Sequence, residues 1–372
     1  MTLFPILFAA AVLVVTGVAS LAAEPIVVFA AVEGGYESIR IPAVIAAKDG
    51  TLLAFAEGRV RPKDQAENDI ILKRSTDGGK TWGPLQVVAE QGKDSLNNPN
   101  PVVDQKTGRI FLPFQRYPAA AHETAQLSDG LDGENTVHAL LSTSDDHGAT
   151  WSKPQDVTRG MKHPKGATTL AAGPGIGIQL QRGPHAGRLL IPFNEGPFGR
   201  WQVYAAYSDD GGATWKPGQN APSYVTNAAG KVLTRANEVQ FVELSDGSVR
   251  LNSRNYDGSA RRSTAVSQDG GETWSPLVPV PELVEPVCQA SLLRVGDEIY
   301  YSGPHDPKRR VNGVLFVSRD DGATWTNVRT LVPTGFAYSC LVALPGNELG
   351  CLYETDGYQT ISFLRTPLAP KN

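Results

Sequence analysis

One octapeptide pattern, S-x-D-x-G-x-T-W, recurs five times in this chain: STDGGKTW from Ser75, SDDHGATW from Ser144, SDDGGATW from Ser208, SQDGGETW from Ser267 and SRDDGATW from Ser318. Successive copies start 69, 64, 59 and 51 residues apart. Periods of that length belong to propeller blades or arrays and exceed those of short solenoid repeats. Each copy reads as a turn. Its Ser and Asp side chains are suited to bond back to nearby backbone N–H groups, its Gly supplies a positive φ at little cost, and its Trp enters the next strand as a large apolar anchor. A calcium loop is excluded, because the acidic positions are too sparse and no bidentate Glu closes the loop. No metal is expected.

Between the boxes lie short β-rich runs such as RIFLPFQ, RLLIPFN, WQVYAAYS, EVQFVEL and GVLFVS, each bounded by Gly, Pro, Asn or Asp. Three or four such runs per period make one antiparallel sheet. About 50 residues separate residue 24 from the first box and about 45 follow the last, so strands from the two ends are expected to complete a sixth sheet together, which closes a ring and removes exposed edges. The fold expected is all-β: a six-bladed β-propeller of four-stranded antiparallel sheets with five box turns, one domain over residues 24–372.

Composition fits this reading, with 38 Gly and 27 Pro in 372 residues. A net charge of −4 and the absence of a Lys/Arg run argue against a nucleic-acid partner, which needs clustered cations. The N-terminus, MTLFPILFAAAVLVVTGVASLAAEP, is an apolar run followed by small residues, and Ser20-Leu21-Ala22 resembles a cleavage site. Residues 1–23 are therefore expected to be a signal peptide for export, with an uncleaved anchor, the only membrane contact foreseen, as the alternative. Cys288, Cys340 and Cys351 lack metal-ligand spacing. A hairpin centred on Leu344-Pro345-Gly346-Asn347 would set Cys340 opposite Cys351, so a cross-strand disulfide stands beside the reading of small buried hydrophobes. No cofactor is implied, and oligomeric state is not legible.

A turn repeated in every blade cannot define one asymmetric site, so chemistry is sought in polar residues that occur once and interrupt apolar runs. Arg40 stands inside YESIRIPAVI, and Glu57 and Arg59 end LLAFAEGR. Glu238 heads a strand in RANEVQFVEL, Arg254 lies in RLNSRNY, Arg309 and Arg310 in KRRVNGVLFVS, Tyr338 in FAYSCLVAL, and Glu354 ends LGCLYE. Taken singly, each is ordinarily a salt bridge or a core residue. Taken together they differ, since arginines converging on one cavity repel unless an anion sits between them, and Arg suits bidentate carboxylate recognition.

These single-copy motifs, namely RIP, AFAEGR with Asp64 five residues on, NEVQ, SRN, RRVNG before the fifth box, and YSCL…LYE, stand in an order that resembles the sialidase (neuraminidase) family over Tyr36 to Arg365. The resemblance implies hydrolysis of terminal α-linked sialic acid from glycans. It implies Arg40, Arg254 and Arg310 as the clamp on the substrate carboxylate, Glu354 as the partner of Arg40, and Arg59 as a further pocket arginine. It implies Tyr338 as nucleophile, Glu238 as its base and Asp64 as acid/base. Arg310 is preferred to Arg309 for its distance of eight residues from Ser318.

A physical reason supports the same set. A 2-keto acid sugar bears a carboxylate on its anomeric carbon, so a carboxylate nucleophile would approach against a like charge whereas a phenol would not; tyrosine is the known exception to the two-carboxylate rule. Asp64 is expected to have a raised pKa under a polar loop, Val60-Arg61-Pro62-Lys63 and Gln65, that closes over the substrate. Asp69 is a second candidate for that role. Glu195, Arg200, Gln115 and Arg116 are candidates for contacts to the ring substituents. Other readings stay open: a related carboxylated keto-sugar, transfer in place of hydrolysis, a non-catalytic glycan-binding propeller, or a hydrolase of neutral polysaccharides.

Overall fold

The computed structural model describes residues 24–119, 121–125, 127–355 and 357–370; the signal-peptide or anchor expectation at residues 1–23 lies outside the described residues. Six antiparallel sheets follow one another along the chain. Blade 1 comprises Ser38–Ala46, Leu52–Arg59, Asn68–Ser75 and Gln86–Ala89. Blades 2 and 3 have inner strands broken in two, Ser95–Asn97 with Val102–Val103 and Thr169–Ala172 with Ile178–Gln179. Blade 4 runs Val239–Glu243, Val249–Ser253, Arg261–Ser267 and Val278–Val284, and blade 5 begins at Ser291–Val295. Blade 6 takes Ser339–Leu344, Glu348–Thr355 and Thr360–Pro367 from the end of the chain and its outer strand, Ile26–Ala30, from the beginning. The ring thus closes as the terminal lengths imply. A hairpin of Tyr224–Thr226 and Val232–Thr234 is inserted between blades 3 and 4. Among the described residues no helix is long and apolar enough to cross a membrane.

Five boxes serve six blades for a topological reason. Each box is the turn from the third strand of a blade to its fourth, and blade 6 draws its fourth strand from the other end of the chain, so it needs no such turn. In the first box Gly79 N–H donates to Ser75 Oγ at 2.9 Å, while Thr81 N–H and Oγ1 donate to the two oxygens of Asp77 at 2.9 and 2.6 Å. These donors hold the Asp77 carboxyl well below the usual range. The same contacts recur around Asp146 and Asp210, so the Asp oxygens are occupied by the turn itself.

The box tryptophans do more than start a strand. Trp82 meets Phe363 of blade 6 with ring centroids 5.4 Å apart, Trp151 meets Phe55 of blade 1 at 5.6 Å, and Trp215 meets Phe111 of blade 2 at 6.0 Å. Each wedges against the preceding blade, and the buried apolar clusters likewise span neighbouring blades. Gly79 at φ 83° sits so close to that blade that a Cβ would run into Phe363, which adds a steric demand to the conformational one.

Of the two readings of the cysteines, the structure bears out the small buried hydrophobes, and no Cys340–Cys351 disulfide forms. The loop joining Ser339–Leu344 to Glu348–Thr355 has three residues, so Leu344 pairs with Glu348, Cys340 pairs with Leu352 and Cys351 with Leu341. One residue of register turns the two thiols to opposite faces, and all three cysteines are free and buried.

Candidate active site

Inner strands begin, and second strands end, on the face of the ring opposite the boxes. That face holds a cavity of about 310 Å³ whose wall includes Arg40, Arg59, Asp64, Glu238, Arg254, Arg310 and Tyr338. Residues scattered over some 300 positions converge because strand ends of blades 1, 4, 5 and 6 meet around one axis.

Arg40 reaches the cavity through a bulge. The ladder of blade 1 breaks between Arg40 and Ala43, with Ile41 at φ 64°, a conformation that costs a β-branched residue about 1–3 kcal/mol. Glu354 offsets that cost. Its carboxylate is wholly buried, accepts Ile41 N–H at 2.9 Å, and accepts Arg40 Nε and Nη2 at 2.6 and 3.1 Å. Arg254 Nη1 donates to Glu238 Oε2 at 2.8 Å and to Tyr338 Oη at 3.0 Å, and Tyr338 Oη donates to Glu238 Oε1. Burial first, and then the Glu238 charge, push the Tyr338 phenol far above its ordinary pKa, so the resting side chain is a neutral phenol with its proton aimed at a carboxylate. Arg310 lines the cavity, whereas Arg309 lies in solvent beside Asp306. Among the described residues Arg310 is held by neutral acceptors, Tyr358 Oη at 3.0 Å and the Val287 carbonyl at 3.2 Å.

Arg59 Nε donates to Glu57 at 2.8 Å, and Arg59 Nη1 donates to Asp64 at 2.8 Å. Here the structure corrects an expectation. The Asp64 side chain is 61% exposed, and although burial pushes its pKa up, the Arg59 charge and hydrogen bond outweigh that and hold it below the usual value. The desolvation expected to raise this carboxyl is present, but the Arg59 partnership reverses its effect. Asp69 is outside the cavity, accepting Tyr36 Oη at 2.7 Å.

Of the four residues expected near ring substituents, only Gln115 lines the cavity. Strand alternation turns its neighbour Arg116 toward Asp94 and sends Glu195 behind the wall, where it accepts from Asn220 and meets His163, leaving Asn194 as the lining residue. Arg200 lies over the Tyr224 ring, outside the cavity.

Sequence reading missed an aromatic wall of Phe198, Trp201 and Tyr256, with centroids 5.2 and 4.9 Å apart along the series. A signal existed: Trp201 is the one tryptophan of six outside a box. It also missed Glu123, a lining carboxyl pushed up to about 7, first by burial and then by Asp64 and Glu238.

Comparison with known proteins places these features in company. Residues 50–351 match the family model described as a BNR repeat-like domain. The chain is 36% identical over 339 residues to a sialidase of Micromonospora viridifaciens, covering 86% of this chain and 50% of the relative. It is 31% identical to mouse sialidase-2, covering 89% and 92%. The chain spans about half the length of the Micromonospora relative and 60% of a Bacteroides fragilis sialidase. The solved Hadza microbial sialidase Hz136 superposes with a TM-score of 0.80 at 27% identity, over 90% of this chain and 66% of that one. An intramolecular trans-sialidase of Ruminococcus gnavus shares the fold, with a TM-score of 0.76 at 23% identity over 91% and 96%.

Proposed function

The chain belongs to the sialidase family, and we propose that it is an exo-α-sialidase, a retaining glycoside hydrolase that removes terminal α-linked sialic acid from glycoconjugates. The observation that carries the reading is one contact set: Tyr338 Oη lies between Glu238 and Arg254 in a cavity lined by four arginines from three blades.

Arg40, Arg254 and Arg310 take the substrate carboxylate, which sets the anomeric carbon over Tyr338. Arg40 and Arg254 are already paired with Glu354 and Glu238, whereas Arg310 has neutral acceptors, so its charge is left for the incoming anion. Tyr338 Oη then bonds to the anomeric carbon as the glycosidic C–O bond breaks. The phenol proton passes to Glu238 and the Asp64 proton to the leaving oxygen. Water attacks the tyrosyl adduct, gives its proton to Asp64, and the phenoxide regains its proton from Glu238, so the sugar keeps its anomeric configuration after two inversions. Asp64 must be protonated for the first step. Substrate that takes the Arg59 hydrogen bond from Asp64 and dries the loop weakens an influence that lowers its pKa and strengthens the desolvation that raises it.

Tyr338→Phe removes the nucleophile while keeping the ring. Turnover of an aryl sialoside is expected to fall by at least about 10³-fold, on the scale of losing a residue of a catalytic triad. A variant with wild-type kcat would overturn the assignment. Export is proposed from residues 1–23 and is checked by mass spectrometry of the N-terminus of the mature protein.

A further inference from the structure

The arginine that lacks a carboxylate partner raises a question of its own. Arg40 and Arg254 are each aligned by a buried or nearly buried carboxylate, whereas Arg310, whose guanidinium carbon lies 5.3 Å from the Tyr338 ring centroid, has as hydrogen-bond acceptors only Tyr358 Oη and the Val287 carbonyl among the described residues. Tyr358 also lies against Arg40, with the guanidinium carbon 4.0 Å from its ring centroid. One side chain thus holds two of the three arginines, one by its hydroxyl and the other by its ring face.

The backbone is adapted to that task. Tyr358 sits in the loop from Thr355 to Thr360 at φ 71°, and Val287 sits at φ 55°. Both are side chains for which a left-handed backbone is an outlier, and both are the partners of Arg310. Such strain persists where surrounding structure imposes it and concentrates at sites that position ligands. A glycine would meet the backbone demand of position 358 more cheaply, so the tyrosine is kept against its own conformational preference.

The chemistry of a phenol fits the need. A carboxylate at this position would align Arg310 equally well but would cancel its charge, leaving the clamp with one cation fewer for the incoming anion. A phenol accepts the N–H without cancelling the charge, and its π face attracts Arg40 without a counter-charge. We infer that Tyr358 is a positioning residue of the carboxylate clamp, aligning Arg310 and Arg40 for an anionic substrate group while leaving the positive charge of Arg310 uncompensated. The inference rests on the proposed reading of the cavity as a carboxylate site.

The test compares Tyr358→Phe, Tyr358→Ala and Tyr358→Gly on an aryl sialoside, and measures binding of the unsaturated sialic acid analogue and of its methyl ester, in which the carboxylate charge is gone. Loss of the hydroxyl in Tyr358→Phe is expected to raise KM and weaken the acid about tenfold. Losing the ring as well in Tyr358→Ala is expected to cost about 30-fold or more. Because the clamp holds the carboxylate in ground and transition states alike, KM moves and kcat does not. The ester is expected to bind all variants as it binds the wild type. Tyr358→Gly separates positioning from folding: it relieves the left-handed backbone, so it unfolds no lower than Tyr358→Ala, yet binds the acid no better. Unchanged KM in both Tyr358→Phe and Tyr358→Ala, or equal losses for acid and ester, would overturn the inference while leaving the sialidase reading in place. Failure of the wild type to cleave the sialoside or to bind the acid would overturn that reading and the inference with it.

Discussion

Glu123 is a cavity carboxyl pushed up to about 7, and its neighbours define what that does. Asp64 and Glu238 disfavour its ionisation, Arg254 favours it, and burial is the largest influence, together placing it at about 7. Above that pH a further negative charge stands in a cavity built to admit an anion. In Glu123→Gln the alkaline decline of kcat/KM is expected to move to higher pH, and an unmoved profile would count against a role for this carboxyl. Stability follows the same titration. The folded pKa lies above the unfolded value of 4.5, so between pH about 4.5 and 7 the folded state binds more protons and stability falls as pH rises; below and above that window this group contributes no slope. Glu123→Gln removes the slope, which thermal melts across the window check. Sequence reading had no access to this residue. Arg40, Arg59, Glu238, Arg254, Arg310, Tyr338 and Glu354 stood out as single-copy polar residues in or beside apolar runs, and Asp64 through the family resemblance, but Glu123 lies in AAHETAQLSDG, where no period exists to interrupt.

The blade element is legible for the opposite reason, since its turn repeats. What the repeat hides is direction: the boxes lie on the face away from the cavity, so they act on chemistry only by holding blades together. Asp146→Ala in the second box removes the acceptor of Thr150 N–H and Oγ1 and of Ser144 Oγ. A cost of about 1–2 kcal/mol is expected, as for a lost cap. The melting temperature should drop by a few degrees, with kcat and KM of the folded fraction unchanged. A specific loss of kcat would mean that the box does more than hold the turn. Errors at this scale share one cause, parity. One residue in a hairpin loop moved Cys340 and Cys351 to opposite faces, and strand alternation exchanged Asn194 for Glu195. Composition and motif carry no register, so such residues are read to within one position.

Ring closure belongs to the whole molecule, and it ties the start of the chain to the cavity. Val28 and Phe29 of the closing strand are buried in the core between blades 6 and 1, and the strand pairs with Thr360–Pro367, which in turn pairs with the strand bearing Glu354. The closing strand was legible from the count of boxes and the lengths flanking them, whereas its link to Arg40 was not, because it runs through two ladders and the Glu354 carboxylate. A chain beginning at Val32 loses those two side chains and leaves Thr360–Pro367 as an open edge. Burial of a Phe alone is worth about 3–5 kcal/mol against a total of about 5–15. The truncated protein is therefore expected to melt far lower and to self-associate through the exposed edge, as read by size-exclusion chromatography. Sialoside turnover is expected to be lost with it, because the strand bearing Glu354 no longer has a fixed neighbour. A peptide of residues 24–32 added in trans restores the missing strand by edge addition, and recovery of both monomer and turnover is the outcome that separates an open ring from a chain that never folds. A truncated protein that stays monomeric with the wild-type melting temperature would show that the ring does not depend on its closing strand.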